Sequence, residues 1–205
     1  MEKIQDLITR KGPGHLFQLA HIVLALKLIE ERGPIGRHEL GRVLDLGGGS
    51  VRTLVNRLKN ADLITVEGKK GHIVSDAGKQ ILQEFRKNII RFEVLEPAEK
   101  LTHKKFNVGC QARAVSSKIG SGIGIRDAAL SVGAKSITSL IYSGTDFDIP
   151  TLGKDYLARE QPDFSRYLLS QFEFQKDDVL IVCGADKAIE AELGAMTAVL
   201  SLIIS

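Results

Sequence analysis

The chain has 205 residues, of which 43% are apolar and 26% charged, and its formal net charge is +3. This length and apolar content suffice for a full core and favour two small domains over one. The two cysteines lie far apart in apolar surroundings, which argues against a disulfide framework or a zinc cluster and predicts reduced, packed thiols. The apolar stretches are too short or too interrupted to span a bilayer, and the charged first turn is unlike a signal peptide, so we expect a cytoplasmic protein.

The positive charge is concentrated in the first part of the sequence. Residues 1–88 contain 15 Lys and Arg against 10 Asp and Glu, whereas residues 89–205 contain 13 against 15. A basic module beside a slightly acidic one is typical of a protein in which one domain contacts a polyanion. We therefore predict a DNA-binding domain at 1–88 and a second domain at 89–205.

The first segments of the chain predict helices. A short helix is predicted at 1–10, and the Gly and Pro residues at 12–14 end it. Residues 15–31 predict a longer helix that is apolar on more than one face. Such a helix either has two neighbours, one of them a second domain or a second subunit, or lies at the centre of one core.

Residues 34–76 predict a winged helix-turn-helix. A short amphipathic helix at 34–44 is followed by a Gly-rich break at 45–49. A second helix is predicted at 51–60, with Ser50 as its N-cap. Apolar residues recur at helical spacing in this second helix, which gives it one core face and one polar face.

The polar face of the second helix and the hairpin after it predict a nucleic-acid interface. Two strands at 63–66 and 72–74 enclose a turn with two lysines, which indicates a wing. Arginine and asparagine can make bidentate contacts to bases, and lysine neutralises phosphates. The predicted DNA-binding residues are Ser50, Arg52, Thr53, Asn56, Arg57, Lys69, Lys70 and His72. Because winged helices also serve as protein-protein modules, a structural role is the alternative.

The remainder of the chain predicts an antiparallel or mixed sheet with helices packed on one face. The first two strands of this sheet are expected to pair antiparallel, and Gly133 is the expected C-cap of the first long helix in the domain. The expected strands are at 89–95, 106–115, 136–142, 147–149 and 179–183, and the expected helices are at about 77–87, 125–132, 162–172 and 186–203. The predicted fold class is α+β, a winged helix-turn-helix followed by a two-layer α+β domain.

A glycine-rich segment in the second domain suggests an anion site. Gly120, Gly122 and Gly124 precede a helix, and backbone amides at a helix N-terminus attract anions. Arg126 in the first turn adds a positive charge, so these four residues are a candidate site for an anionic effector. The alternative is a flexible turn with an ordinary charged helix start, for which Asp127 is suited.

The sequence predicts no enzyme, cofactor or metal site. Its five histidines are scattered, without a second metal ligand at a suitable spacing, and His21 on an apolar helix suits a core position better than a ligand position. Asp177 and Asp178 form either a paired-carboxylate site or, more commonly for such a pair, a solvated turn. No nucleophile is placed beside a base.

Three segments together resemble a known family. They are Gly-Ser-Val-Arg-Thr-Leu at 49–54, the Gly-Lys-Lys-Gly wing at 68–71, and the run from Gly124 through Arg-Asp-Ala-Ala to Gly-Ala at 133–134. With them the chain resembles an archaeal family of predicted winged-helix transcriptional regulators. The second half of that family is similar in fold to the GAD domain inserted in bacterial aspartyl-tRNA synthetases, a two-layer α+β module. The resemblance implies a regulator.

We therefore predict a DNA-binding transcriptional regulator. Its expected partners are double-stranded DNA, a second copy of the chain and a small-molecule effector, and no membrane is expected as a partner. A homodimer is expected because two recognition helices double the base contacts on a palindromic site. The helix at 15–31 and the last helix are the candidate dimer interfaces. Two alternatives are an RNA- or translation-associated binding protein, suggested by the synthetase-like half, and a small enzyme that acts on a phosphorylated metabolite at 120–127.

Overall fold

The structure is a computed structural model and describes residues 19–150 and 152–204. The chain divides into two compact units, residues 1–86 and 87–205. Helices and antiparallel sheets are both present, which confirms the predicted α+β class. The predicted helix at 1–10 and the first residues of the helix predicted at 15–31 lie outside the described residues.

In its described part, the first unit is a group of helices with one antiparallel hairpin. Nine residues of the first helix are buried, more than one face, as the apolar pattern predicted. The elements are α1 (Leu19–Arg32), α2 (Arg37–Val43), α3 (Gly48–Asn60), β1 (Ile64–Glu67), β2 (Gly71–Val74) and α4 (Asp76–Asn88), which continues into the second unit.

Two helix starts in this unit differ from the prediction. Helix α2 begins at Arg37 rather than at 34, because Ile35 and His72 exchange backbone hydrogen bonds of 3.0 and 2.8 Å. Helix α3 begins at Gly48, with extended Gly47 (φ −60°, ψ 156°) as its N-cap. Ser50 is therefore the third residue of α3 and not its N-cap. The glycines at 47–49 were predicted to lie in the break between the two helices, but Gly48 and Gly49 are the first two residues of α3.

The second unit is built on a five-stranded antiparallel sheet in the order β3-β4-β7-β5-β6. The pairing of its first two strands, β3 and β4, is antiparallel, as predicted. The elements are β3 (Ile89–Val94), α5 (Glu99–Thr102), β4 (Phe106–Ala112), α6 (Ile123–Leu130), β5 (Ser136–Tyr142), β6 (Phe147–Asp148), α7 (Tyr156–Glu160), α8 (Pro162–Gln171), β7 (Val179–Ala185) and α9 (Ala188–Ile204).

The sheet is covered by helices on both faces, not on one as predicted. Every residue of the central strand β7 is buried, so neither of its faces meets solvent. On one face, Leu180 and Val182 join a cluster with Leu157 of α7 and Leu168 of α8. On the other face α9 packs on β4 and β7, with Gly194 beside Cys183. A strand with an unbroken apolar run requires this double cover.

Two turns in this unit are closed by specific hydrogen bonds. After α6, Gly133 (φ 102°) donates to Leu130 and Ala134 donates to Ala129, at 3.1 and 3.3 Å, which is a Schellman arrangement. Gly133 is thus the C-terminal capping glycine, as predicted. After β4, Ala114 turns the chain with a φ of 49°, which is why this strand ends at Ala112 rather than at 115.

The segment that precedes β7 contains two helices rather than one. Helix α8 starts at Pro162 as predicted, whereas α7 was not predicted. Both helices are tied to the turn before β6 by the buried carboxylate of Asp146. This carboxylate accepts hydrogen bonds from the Ser165 hydroxyl at 2.6 Å and from the Ala158 amide at 2.8 Å. The short α7 is thus stabilised by a distant side chain.

Candidate nucleic-acid interface

Helix α3 presents one buried and one polar face. Arg52, Thr53 and Asn56 are exposed, and Ser50 and Arg57 are half-buried. Lys59, which the sequence analysis left out, is exposed one turn beyond Asn56. The apolar side chains at helical spacing are all buried, as predicted: Val51, Leu54, Val55 and Leu58.

The exposed side chains of α3 have donors and acceptors for an external partner. Arg52 and Asn56 are four residues apart and lie on the same side of the helix. Among the described residues, no hydrogen bond or ion pair engages the Arg52 guanidinium. The Thr53 hydroxyl donates to the Gly49 carbonyl at 3.0 Å, so its oxygen keeps acceptor capacity only. The face can therefore offer a guanidinium fork and an amide side by side.

Helices α2 and α3 approach each other closely at Gly41. A Cβ on this residue would lie 3.1 Å from both the Leu46 carbonyl oxygen and the Val51 Cγ1. The Leu46 amide donates to the Gly41 carbonyl at 2.9 Å, and Asp45 adopts a left-handed φ of 52°. This tight turn fixes the angle at which α3 leaves the core.

The wing is anchored near its tip by Ile35. The bridge between Ile35 and His72 adds a third extended segment beside β1 and β2. The His72 Nδ1 also lies 3.2 Å from the Ile35 carbonyl oxygen, which can only accept, so Nδ1 is the donor. His72 is half-buried and lies in the second residue pair from the tip of the wing. In a neutral ring whose Nδ1 is the donor, Nε2 is an acceptor, so the phosphate contact predicted for His72 requires a proton on both ring nitrogens.

The tip of the wing is formed by Gly68, Lys69 and Lys70. The Lys70 amide donates to the Glu67 carbonyl at 3.0 Å, which closes the turn. The Lys70 Nζ lies 3.4 Å from a Glu67 carboxylate oxygen, and the lysine side chain is 72% exposed. Such an exposed pair contributes little free energy, so the lysine can exchange it for a phosphate at small cost. Lys69 is exposed beside it.

The candidate anion site in the second unit is brought together only in part. Gly122 and Arg126 line a cavity, whereas Gly120 and Gly124 are not among its lining residues. Three further basic residues line the same cavity: Lys100, His103 and Lys135. They were not predicted, because Lys100 and His103 lie at α5 and Lys135 lies just before β5, and none of them belongs to the glycine-rich segment.

Asp177 and Asp178 do not form a pair of catalytic carboxylates, and Asp178 is not in a solvated turn. Its carboxylate is fully buried and accepts four hydrogen bonds. The donors are Gln111 Nε2 (3.0 Å), Arg113 (2.9 Å), the Gln175 amide (2.9 Å) and the Ala114 amide (3.1 Å). Asp177 is exposed and accepts from the Ser116 hydroxyl at 3.0 Å. Asp178 therefore joins three segments of the second unit.

Buried titratable groups elsewhere are part of the core. Burial lowers the pKa of His21, which is 7% exposed in α1, as the core interpretation of this residue expected. Burial also raises the pKa of the Cys183 thiol, and both cysteines are buried thiols outside any disulfide. Within the described residues, His, Cys, Asp and Glu form no group of three that could hold a metal ion.

The two helices expected to form a dimer interface are buried instead. Nine residues of α1 and nine of α9 are buried, so neither helix offers a broad apolar surface. The apolar patterns that suggested an interface belong to the core.

None of the described helices has the length and apolar content needed to cross a membrane.

The fold and this surface define a two-unit α+β protein whose first unit is a winged helix-turn-helix. Residues 18–80 match the family model of the PH0730-like N-terminal domain, and residues 103–202 match a domain of unknown function, DUF4443. A solved structure, hypothetical protein PH0730 from Pyrococcus horikoshii OT3, is similar over 91% of this chain and 92% of its own, with a TM-score of 0.69 and 20% identity. This likeness establishes the fold alone. No curated protein matches the chain.

Proposed function

We propose that this protein is a DNA-binding transcriptional regulator with no enzymatic activity. Helix α3 enters the major groove of duplex DNA, and the wing contacts the adjacent phosphates. The observation that carries the proposal is the row of exposed polar side chains on α3, Arg52, Thr53 and Asn56, in the same unit as the lysine-tipped wing.

The chemistry of this face supports a nucleic acid over a protein partner. Protein interfaces are centred on apolar and aromatic side chains that become desolvated. In the described part of the first unit, the only large apolar side chain with substantial exposure is Val66, on the wing. The outward face of α3 has guanidinium, hydroxyl and amide groups, which are the groups that contact phosphates and base edges.

Duplex binding is proposed to involve two copies of the chain. One α3 helix reaches only a few base pairs, and a two-fold pair of helices reads two half-sites one helical turn apart. Because α1 and α9 are buried, the dimer must use other surfaces. The second unit is proposed to form the dimer or to bind an effector.

The proposal is tested by removing charge from α3 in the full chain. The double variant Arg52→Ala/Arg57→Ala should bind duplex DNA at least about tenfold more weakly at fixed salt, since each charged contact contributes on the order of 1–3 kcal/mol. Equilibrium gel-shift titration measures the affinity, and thermal melting shows that the variant is folded.

The matched control is Lys79→Ala/Arg86→Ala, which removes two positive charges from α4. Their present partners are Asp76 and Glu30. This variant loses as much positive charge as the α3 variant does, but from α4. It should therefore keep the wild-type affinity if α3 is the helix that contacts DNA. Equal affinity of the α3 variant and the wild type would refute the docking of α3. Structured RNA that displaces duplex DNA at equal salt would replace the proposal with an RNA-binding function.

A further inference from the structure

A cavity of about 480 Å³ lies along the open edge of strand β5 in the second unit. Strand β6 pairs only with Ile141 and Tyr142, so the first five residues of β5 have no strand on that side. Helix α6 contributes Arg126 to the wall, and the end of α5 contributes Lys100. The cavity size is within the range of small-molecule sites.

The open edge of β5 presents backbone N–H and C=O groups to this cavity. In an antiparallel pair, alternate residues bond to the neighbouring strand. Tyr142 donates to the Asp178 carbonyl at 2.9 Å, so the even-numbered residues of β5 bond to β7. The peptide groups of Ile137 and Ser139 therefore face the side that β6 leaves open, and both residues line the cavity.

Among the described residues, four basic side chains line the cavity and no carboxylate does. Lys100 and His103 lie at α5, Arg126 lies in α6 and Lys135 lies just before β5, so these residues come from three places in the chain. No ion pair or hydrogen bond within the described part of the chain engages their side-chain nitrogens. Positive charges that gather without a counter-charge repel each other, and a bound polyanion removes that repulsion.

This cluster is notable because its half of the chain is not basic. Residues 89–205 carry 13 Lys and Arg against 15 Asp and Glu. Other cations of the unit do pair with carboxylates: Lys104 lies 3.0 Å from Asp186, and Arg113 lies 2.9 Å from Asp178. Lys100, Arg126 and Lys135 have no such partner among the described residues, and they lie with His103 where the unit has space for a ligand.

We propose that this cavity binds a small polyanion, a metabolite with two or more phosphate or carboxylate groups. The basic side chains neutralise its charge, and the hydroxyl groups of Ser121, Thr138 and Tyr156 on the cavity wall supply neutral hydrogen bonds. Gly122, the N-cap of α6, places the amino end of that helix at the same wall. The site is independent of DNA binding and goes beyond it.

The test is calorimetric titration of the full chain with inorganic pyrophosphate, citrate and acetate in metal-free buffer at constant ionic strength. We expect pyrophosphate or citrate to bind saturably with one site per chain, and more tightly than acetate. Tighter binding of pyrophosphate assigns phosphate chemistry to the ligand, and tighter binding of citrate assigns carboxylate chemistry. The proposal is overturned if neither binds more tightly than acetate.

Variants locate the binding. Arg126→Gln/Lys135→Gln should weaken the preferred anion by about tenfold or more, and Lys100→Gln alone should weaken it less. The control Arg159→Gln/Lys176→Gln removes the same charge from exposed positions that do not line the cavity and should bind as the wild type does. Wild-type affinity in the cavity variant, with melting curves showing it folded, would refute the site.

The DNA variant Arg52→Ala/Arg57→Ala separates this inference from the proposed function. It should bind the preferred anion as tightly as the wild type does, whatever its affinity for DNA. If it loses the anion instead, the anion binds at α3 and the cavity assignment is wrong.

Discussion

At the scale of single residues, Asp178 is the polar group on which the second unit depends most. All four of its partners donate, so both carboxylate oxygens are needed as acceptors. In Asp178→Asn an amide NH₂ would face donors, and the Arg113 charge would lose its buried partner. We expect a loss of about 3 kcal/mol in the free energy of unfolding, measured by urea titration. Asp177→Asn is the control, because the exposed carboxylate of Asp177 accepts a single hydrogen bond and asparagine tolerates the left-handed φ of this residue. Equal stability of the two variants would show that the Asp178 network is not stabilising.

His21 couples the stability of the first unit to pH. Its pKa in the folded state is lowered by burial from the ordinary value of 6.5. The unfolded chain therefore takes up the proton first as the pH falls, and the folded state loses stability below 6.5 down to the lowered pKa. Above 6.5 this contribution to stability is fully present. His21→Leu should flatten this part of the profile of unfolding free energy against pH. If the unfolding free energy of His21→Leu depended on pH as that of the wild type does, His21 would not be the source of this pH dependence.

At the scale of elements, the wing depends on a glycine that no other residue can replace. Gly71 has a φ of 136°, and a Cβ there would lie 2.5 Å from the Ile35 carbonyl carbon and oxygen. Gly71→Ala should break the bridge between Ile35 and His72, lower the free energy of unfolding by about 1–3 kcal/mol and weaken DNA binding.

Gly68→Ala is the matched control for this prediction. Gly68 also has a positive φ, 53°, but a Cβ there meets no atom within 4 Å. Only the cost of the left-handed backbone applies, about 1–2 kcal/mol at the exposed tip. We expect the bridge between Ile35 and His72 and the DNA affinity to survive in this variant. If Gly71→Ala were no more damaging than Gly68→Ala, the contact with Ile35 would not position the wing.

Long periodic patterns made most of the elements predictable, and tertiary contacts decided the rest. The spacing of Val51, Leu54, Val55 and Leu58 predicted the core face of α3, and the apolar run of β7 predicted its burial. The start of α2 depends on the Ile35 bridge to a strand 37 residues away, which leaves no local mark in the sequence. The same holds for α7, which is tied to Asp146.

The candidate sites differ in how far the sequence could indicate them. The α3 face lies on one helix, so its residues follow from periodicity. The cavity residues Lys100 and His103 lie at α5 and Lys135 lies just before β5, and only the tertiary fold brings them to one wall with Arg126. A glycine-rich motif pointed to the region, yet only Gly122 and Arg126 of its four residues line the cavity.

At the scale of the whole molecule, the two halves of the chain differ in net charge. The first half has the excess of Lys and Arg, and its exposed α3 face and wing suit the phosphates of DNA. The second half has a slight excess of acid, and a group of its unpaired basic side chains lines one cavity. In this account the first unit reads DNA, and the second provides the dimer and a site for a small polyanion.

The measurement that tests this account most directly is selection from a pool of randomised duplex DNA with the purified full chain. The account predicts that the wild type enriches one motif, with half-sites about one helical turn apart, and that Arg52→Ala/Arg57→Ala enriches none. Failure of the wild type to enrich any sequence, or enrichment of the same motif by the α3 variant, would contradict it.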